Sequence, residues 1–216
     1  MGLRERQERE RAEVARAILD AARDLFVAEG YHNVSIRKIA ERVEYSPAAI
    51  YSYFASKDDI FYALAEEGFR ILSPGPDCCR DGAPLDSIRG AFWRIYEFSK
   101  THPEYFALMF VDRTVPRINQ DWERFGFMHE MKTRVGAGIQ RAIDAGLFPP
   151  GSQPDAIFNI LGTAIHGAAV RRLCHRGVPH EDSDALARDT LEATLAGLRA
   201  GSPVTVLPLS SVSGEA

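Results

Sequence analysis

Between residues 35 and 60 the chain carries three helix-start signals in quick succession, which leaves room only for short helices joined by tight turns. Ser35 precedes Ile36, Ile39, Ala40 and Val43, which fall on one helical face. Its hydroxyl is placed to accept an orphan backbone N–H as an N-cap. Ser46 is the second start, with Pro47 at the first helical position, where a missing N–H costs nothing. Ile50, Tyr53 and Phe54 continue the apolar stripe. Ser56 is the third, followed by Asp58 and Asp59, whose carboxylates favour the positive end of a helix. Two helices joined by a turn of about 3–4 residues have the geometry of a helix-turn-helix, whose second helix enters the DNA major groove. Ala40 is the small residue that permits close approach, and Ile39, Val43, Tyr45, Ile50 and Tyr53 are the expected shared core.

The rest of the chain is helical by period, with no strand-like alternation and no repeat, so the expected fold class is all-α. A first helix is expected from near Glu13 to Glu29, with Val14, Ile18, Ala21, Ala22, Leu25 and Phe26 inward and Gly30 closing it. The spacing after Ser56 predicts a fourth helix over about 56–72, carrying Ile60, Leu64 and Ile71. Residues 73–84, SPGPDCCRDGAP, read as a linker. Beyond it, helices are expected over Leu85–Thr101, Glu104–Val111, Ile118–Ala145, Pro154–Arg176 and from Ser183 to near Ala200. The organisation is therefore an arm (1–12), a helix-turn-helix domain (13–62), a linker (73–84), a helical domain (85–200) and a flexible tail (201–216). Two readings stand for the arm. Arg4, Arg6, Arg9 and Arg11 suit a minor groove, while the interleaved Glu5, Glu8 and Glu10 suit a frayed helical extension.

Charge does not advertise a nucleic-acid binder, since the net value is −4. Residues 1–57 hold ten Lys/Arg and nine Asp/Glu, a net of +1, so any DNA contact depends on local placement. Three cysteines, Cys78, Cys79 and Cys174, build no disulfide framework, and a reducing cytoplasm is the simpler reading. No paired metal-ligand spacing, signal peptide or membrane span is legible, and no cofactor is expected.

Four linked segments make the reading specific. They are Phe26-Val27-Ala28-Glu29-Gly30-Tyr31, Ser35-Ile36-Arg37-Lys38-Ile39-Ala40, Ile50-Tyr51-Ser52-Tyr53-Phe54 and Ser56-Lys57-Asp58-Asp59-Ile60. At this spacing they resemble the N-terminal DNA-binding domain of the TetR family of transcriptional regulators, over roughly residues 13–62. The family's turn usually carries Gly where this chain has Glu44, and a left-handed non-glycine residue costs on the order of 1 kcal/mol. A slightly reshaped turn is therefore expected. Further on, His102-Pro103-Glu104-Tyr105-Phe106 and Ile165-His166-Gly167 are similar to the [NH]-P-E-x-[FY] and W-H-G signatures of one C-terminal subclass, with Ile165 in place of Trp. The resemblance implies an all-α protein with a three-helix DNA-binding domain and a helical-bundle domain for ligand binding and dimerisation.

On the reader helix, Tyr51 is the leading DNA contact, and Tyr53 fits either a phosphate contact or core packing. Arg37 suits a phosphate or a guanine edge. Ser35 either holds a phosphate or only caps its helix. Ser46, Pro47, Ala48 and Ala49 form the front of the reader helix, apt for thymine methyls. The resemblance assigns Lys57 to a phosphate. Ten of the 21 aromatic residues and three of the four methionines lie between residues 85 and 131. Trp93, Tyr96, Phe106, Met109, Phe110, Trp122, Phe125 and Met128, with His129 and His166 as polar anchors, are the candidate lining of a small-molecule pocket. Each also suits ordinary bundle core. Gly162, Ala164, Gly167, Ala168, Ala169, Ala193 and Ala196 give the last two helices a small-residue face suited to a homodimer. The expected function is a cytoplasmic, dimeric repressor of palindromic DNA, relieved by a small apolar ligand. The alternatives are an activator or constitutive regulator with a solid bundle, and, from another class, a helical-bundle enzyme, for which no nucleophile–base or carboxylate pair is legible.

Overall fold

The structure is a computed structural model of the chain and describes residues 2–73, 83–116, 126–174 and 182–201, with only the backbone described at 3 and 127–129. Described residues contain helices and no strand. In order they are α1 (Leu3–Glu29), a 3₁₀ turn (Tyr31–Asn33), α2 (Ile36–Arg42), α3 (Pro47–Tyr51), α4 (Lys57–Leu72), α5 (Pro84–Thr101), α6 (Pro103–Phe106) running into a π turn (Ala107–Val111), α7 (Gly126–Asp144), α8 (Pro154–Leu173) and α9 (Ser183–Arg199). Contacts divide the chain into two compact units, one from residues 1–73 and 97–129, the other from 74–96 and 130–216. The expected linker core, the start of the helix expected from Ile118 and the tail beyond Gly201 lie outside the described residues.

In the first unit, residues 3–12 are helical and continue α1. Ile18, Ala22 and Phe26 of α1 meet Ile39 of α2, Ile50 of α3 and Ile60, Phe61 and Leu64 of α4 in one buried core. Each isoleucine, leucine or phenylalanine among them contributes roughly 1.5–3 kcal/mol on burial. Tyr31 seals it, its ring 5.1 Å from Phe26 and 5.8 Å from Phe61. The other side of α4 packs on α6 and the π turn. Phe69 meets Phe110 edge-on at 5.7 Å, and Phe110 lies 5.0 Å from Phe106. Ile71, expected on the inner stripe of α4, is 40% exposed; Phe69 and Leu72 carry that stripe instead. The segment expected as one helix over Glu104–Val111 is a single α turn followed by the wider π turn, a rare form that recurs at functional sites.

In the second unit, α8 and α9 pack along their length, with Leu161, Ile165, Ala169, Ala187, Leu191 and Leu195 buried. The Tyr96 hydroxyl donates to Asp184 Oδ1 at 2.9 Å, and Arg89 Nε donates to Glu192 Oε1 at 2.6 Å, so α5 is tied to α9.

The turn between α2 and α3 keeps its shape without glycine. Glu44 has φ 59°, the one positive φ of a non-glycine residue among those described. The Tyr45 N–H bonds the Ala40 carbonyl at 2.9 Å, and the Glu44 N–H bonds the Glu41 carbonyl at 3.4 Å. That is the Schellman pattern, whose left-handed position glycine normally fills. The expected reshaping is thus absent, and the side chain carries the strain. Glu44→Gly should stabilise the chain by about 1 kcal/mol, and Glu44→Val should destabilise it. Urea unfolding checks both; equal midpoints for all three proteins would remove the strain assignment.

Candidate nucleic-acid interface

Three serine caps set the short helices. Ser35 Oγ accepts from the Lys38 N–H at 3.3 Å, Ser46 Oγ from Ala49 at 3.1 Å, and Ser56 Oγ from Asp59 at 3.0 Å. The second cap fixes where the five-residue α3 begins. Ile50 of α3 is buried under α2, while Ser46, Pro47, Ala48 and Tyr51 are exposed and Ala49 is half-buried. Tyr51 is 55% exposed. Its phenol is therefore offered to solvent beside a front of small side chains. Such a front fits close to bases and thymine methyls, while a phenol suits a phosphate oxygen.

Tyr53 is half-buried, and the Arg11 guanidinium lies 5.2 Å from its ring centroid. Arg11 Nη2 also donates to the Ser52 carbonyl at 2.9 Å, satisfying the end of α3. Arg37 is exposed, its Nε paired with Glu41 Oε1 at 2.9 Å. An exposed pair of this kind holds by at most about 1 kcal/mol, so a phosphate can take the guanidinium from it. Lys57 is more engaged. Its Nζ donates to the Tyr31 carbonyl at 2.9 Å and the Val34 carbonyl at 3.0 Å, and sits 4.0 Å from the Tyr31 ring centroid. Burial lowers its pKa, partly offset by Asp58. Two of the three ammonium donors are thus taken inside the domain. Tyr31 donates its hydroxyl to Asp58, and burial, with that bond, raises its pKa. Lys57 thus locks the 31–34 turn that delivers Ser35 to the start of α2.

Tyr45 corrects the sequence reading. Expected in the shared core, it is 44% exposed, because the left-handed Glu44 turns the backbone outward just before the Ser46 cap. Arg42, in the last turn of α2, is also exposed. Spacing alone placed Tyr45 inward, since a tyrosine at helical spacing counts as core until the turn is known.

The candidate pocket residues divide between the units. Phe106, Met109 and Phe110 lie in the first, where they pack on α4. Trp93, Tyr96 and His166 lie in the second. Trp93 is 4.9 Å from Tyr96 and is covered by the Arg188 guanidinium at 5.3 Å. Trp122 and Phe125 lie outside the described residues, as do the side chains of Met128 and His129. His166 lines an open groove of about 610 Å³ along α8, with Phe158, Gly162, Thr163, Gly167 and Val170. Burial lowers its pKa, and its Nδ1 lies 2.8 Å from the Gly162 carbonyl. No group of metal-binding side chains occurs among the described residues. None of their helices is long and apolar enough to cross a membrane.

The family model "Bacterial regulatory proteins, tetR family" matches residues 18–64. The transcriptional regulator RutR of Escherichia coli K12 is 33% identical over 154 residues, 71% of this chain and 73% of that protein. A transcriptional repressor of Mycobacterium tuberculosis is 40% identical over 52 residues, 24% of this chain but only 28% of that protein's length. The crystal structure of the regulator FadR from Bacillus subtilis in complex with stearoyl-CoA superposes with a TM-score of 0.68 at 17% identity, covering 84% of this chain and 97% of that one.

Proposed function

The chain belongs to the TetR family of transcriptional regulators, and on that premise we propose that it is a homodimeric repressor of palindromic DNA, released by a small, largely apolar ligand. The observation that carries the DNA half is the capped five-residue α3, buried at Ile50 and open at Ser46, Pro47, Ala48 and Tyr51. Two copies of such a helix, about 34–36 Å apart, reach successive major grooves. Ala49 completes the front of that helix, and Ser35, Arg37, Tyr53 and Lys57 surround it as positioning and backbone contacts.

The dimer reading rests on α8 and α9. Gly167, Ala193 and Ala196 are exposed, Gly162, Ala164 and Ala168 half-buried, and Ala169 turns into the protomer core. The α8 groove is then the natural seat of a partner's helix. The ligand reading rests on the aromatic clusters around Phe106 and around Trp93. The FadR neighbour was solved with stearoyl-CoA, so this fold accommodates a molecule with a long apolar tail. Release requires that the ligand prefer one of two conformations. In the first unit, α6 and the π turn touch α4, and α4 begins at Lys57, so a shift of the π turn would reach the 31–34 turn.

Selection from random duplexes should enrich a palindrome, with affinity falling steeply as salt rises. Tyr51→Phe should weaken binding by roughly 1 kcal/mol per protomer, equally for selected and scrambled duplexes, because a phosphate contact carries no sequence code. Recovery of no palindrome would refute the DNA half, and a Tyr51→Phe protein with wild-type affinity would remove Tyr51 from the interface.

A further inference from the structure

We propose that the first turns of α1 make a second, sequence-independent contact to duplex DNA, with Arg4 as the phosphate ligand and Arg11 as the strut that fixes it to the reader helix. This rests on the DNA-binding reading above. Because α1 begins at Leu3, residues 4–11 lie on a helix whose position is set from inside the domain. The setting bond is Arg11 Nη2 to the Ser52 carbonyl at the end of α3, with the guanidinium over the Tyr53 ring.

The charges of this segment sort themselves. Arg6 pairs with Glu10 at 2.9 Å, and Arg9 with Glu13 at 3.6 Å. Glu5 accepts from the Gly2 N–H at 2.9 Å. Among the described residues Arg4 has no ion pair. Arg4, Gln7, Glu8 and Arg11 fall on one helical face and line a shallow groove of about 470 Å³. That face therefore presents two guanidiniums and an amide against one carboxylate.

Geometry selects the occupant. A five-residue helix is only about 7.5 Å long, so an α3 with its front on base edges ends at the rim of the major groove. The rim is lined by phosphates, one charge per roughly 1.7 Å of duplex axis. Arg11 ties α1 to that end of α3, and Arg4 lies about 10.5 Å further along the helix, a separation that can place its guanidinium on a second phosphate. A planar guanidinium takes a phosphate in a bidentate manner. Glu8 is the one group in the groove that opposes a polyanion.

The test uses the full chain, the selected duplex and a scrambled duplex of equal length. Arg4→Ala should weaken binding to both on the order of tenfold, and lower the slope of log affinity against log salt by about one per protomer. Glu8→Gln should strengthen binding to both, an opposite sign that loss of fold cannot produce. Arg11→Ala should in addition lower the ratio of selected to scrambled affinity, because it releases the end of α3. If Arg4→Ala and Glu8→Gln both bind like wild type, with a wild-type salt slope, the second contact is overturned and the reader-helix interface stands. If wild type binds no duplex, the reading beneath it fails as well. An Arg11→Ala protein that melts earlier but keeps the wild-type affinity ratio would overturn the strut.

Discussion

Gly68→Val should lower the unfolding free energy by about 3 kcal/mol, although valine is the better helix former by a few tenths of a kcal/mol. Gly68 is buried on α4, where it faces the chain after α5. A Cβ built there lies 3.0 Å from Tyr105 Cδ1 and well inside contact distance of Met109 Sδ. Tyr105 has little freedom to yield. Its hydroxyl accepts from Arg16 at 3.4 Å, and its ring lies under the Arg23 guanidinium at 5.6 Å. Arg16 is itself held by Asp20 and Glu67, each at 2.5 Å, and those bonds raise its pKa while lowering that of Asp20. A methyl must therefore displace Met109, and valine must also push the π turn away from α4. Gly68→Ala should cost less than valine, and combining it with Met109→Ala should cost less than the sum of the two single changes, since the thioether is the atom in the way. Equilibrium unfolding of the wild type and these four variants measures this. Strict additivity would mean that α4 and the π turn do not meet at Gly68.

The reader domain was legible because its signals are local. Ser35, Ser46 and Ser56 each bond a backbone N–H three residues on, so cap and helix sit within one short stretch. The left-handed position came from the resemblance, whose pattern carries glycine where this chain has Glu44, and the reshaping expected there does not occur. What was not legible depends on partners far along the chain. The resemblance assigned Lys57 to a phosphate, with nothing to show that it also caps carbonyls 23 and 26 residues earlier. Arg11 read as part of an arm or a frayed helix, yet it ends α3 across 41 residues of sequence. Tyr45 read as core because spacing alone cannot say which way a backbone leaves a left-handed residue. Gly68 gave no signal, because a glycine inside a helical period has no meaning until the opposing side chain is known. The aromatic cluster of residues 92–131 was legible as a cluster only. Its members fall in two units, and the sequence contains nothing that divides them.

Thr163→Arg should separate the dimer with little effect on the fold of a protomer. Thr163 is exposed on α8 and lies in the groove with Gly162, His166 and Gly167, while the opposite face of α8 buries Leu161, Ile165 and Ala169 against the protomer's own core. A charge at Thr163 therefore meets solvent in a single chain. In a two-fold dimer closed on this face, each protomer brings the same residue to the same surface, so two guanidiniums enter a packed interface with no acid assigned to either. An unpaired charge buried in this way costs about 3 kcal/mol or more, which corresponds to a dissociation constant raised more than about a hundredfold. Palindrome binding should fall with it, because one protomer retains only a half-site, while each protomer's helical content should stay at the wild-type level. Sedimentation across a range of concentrations, together with binding to a palindrome and to a single half-site, separates these outcomes. A Thr163→Arg protein that remains dimeric at nanomolar concentration would place the dimer interface away from the α8 groove. A wild-type monomer that still binds palindromes would show that two chains meet only on DNA.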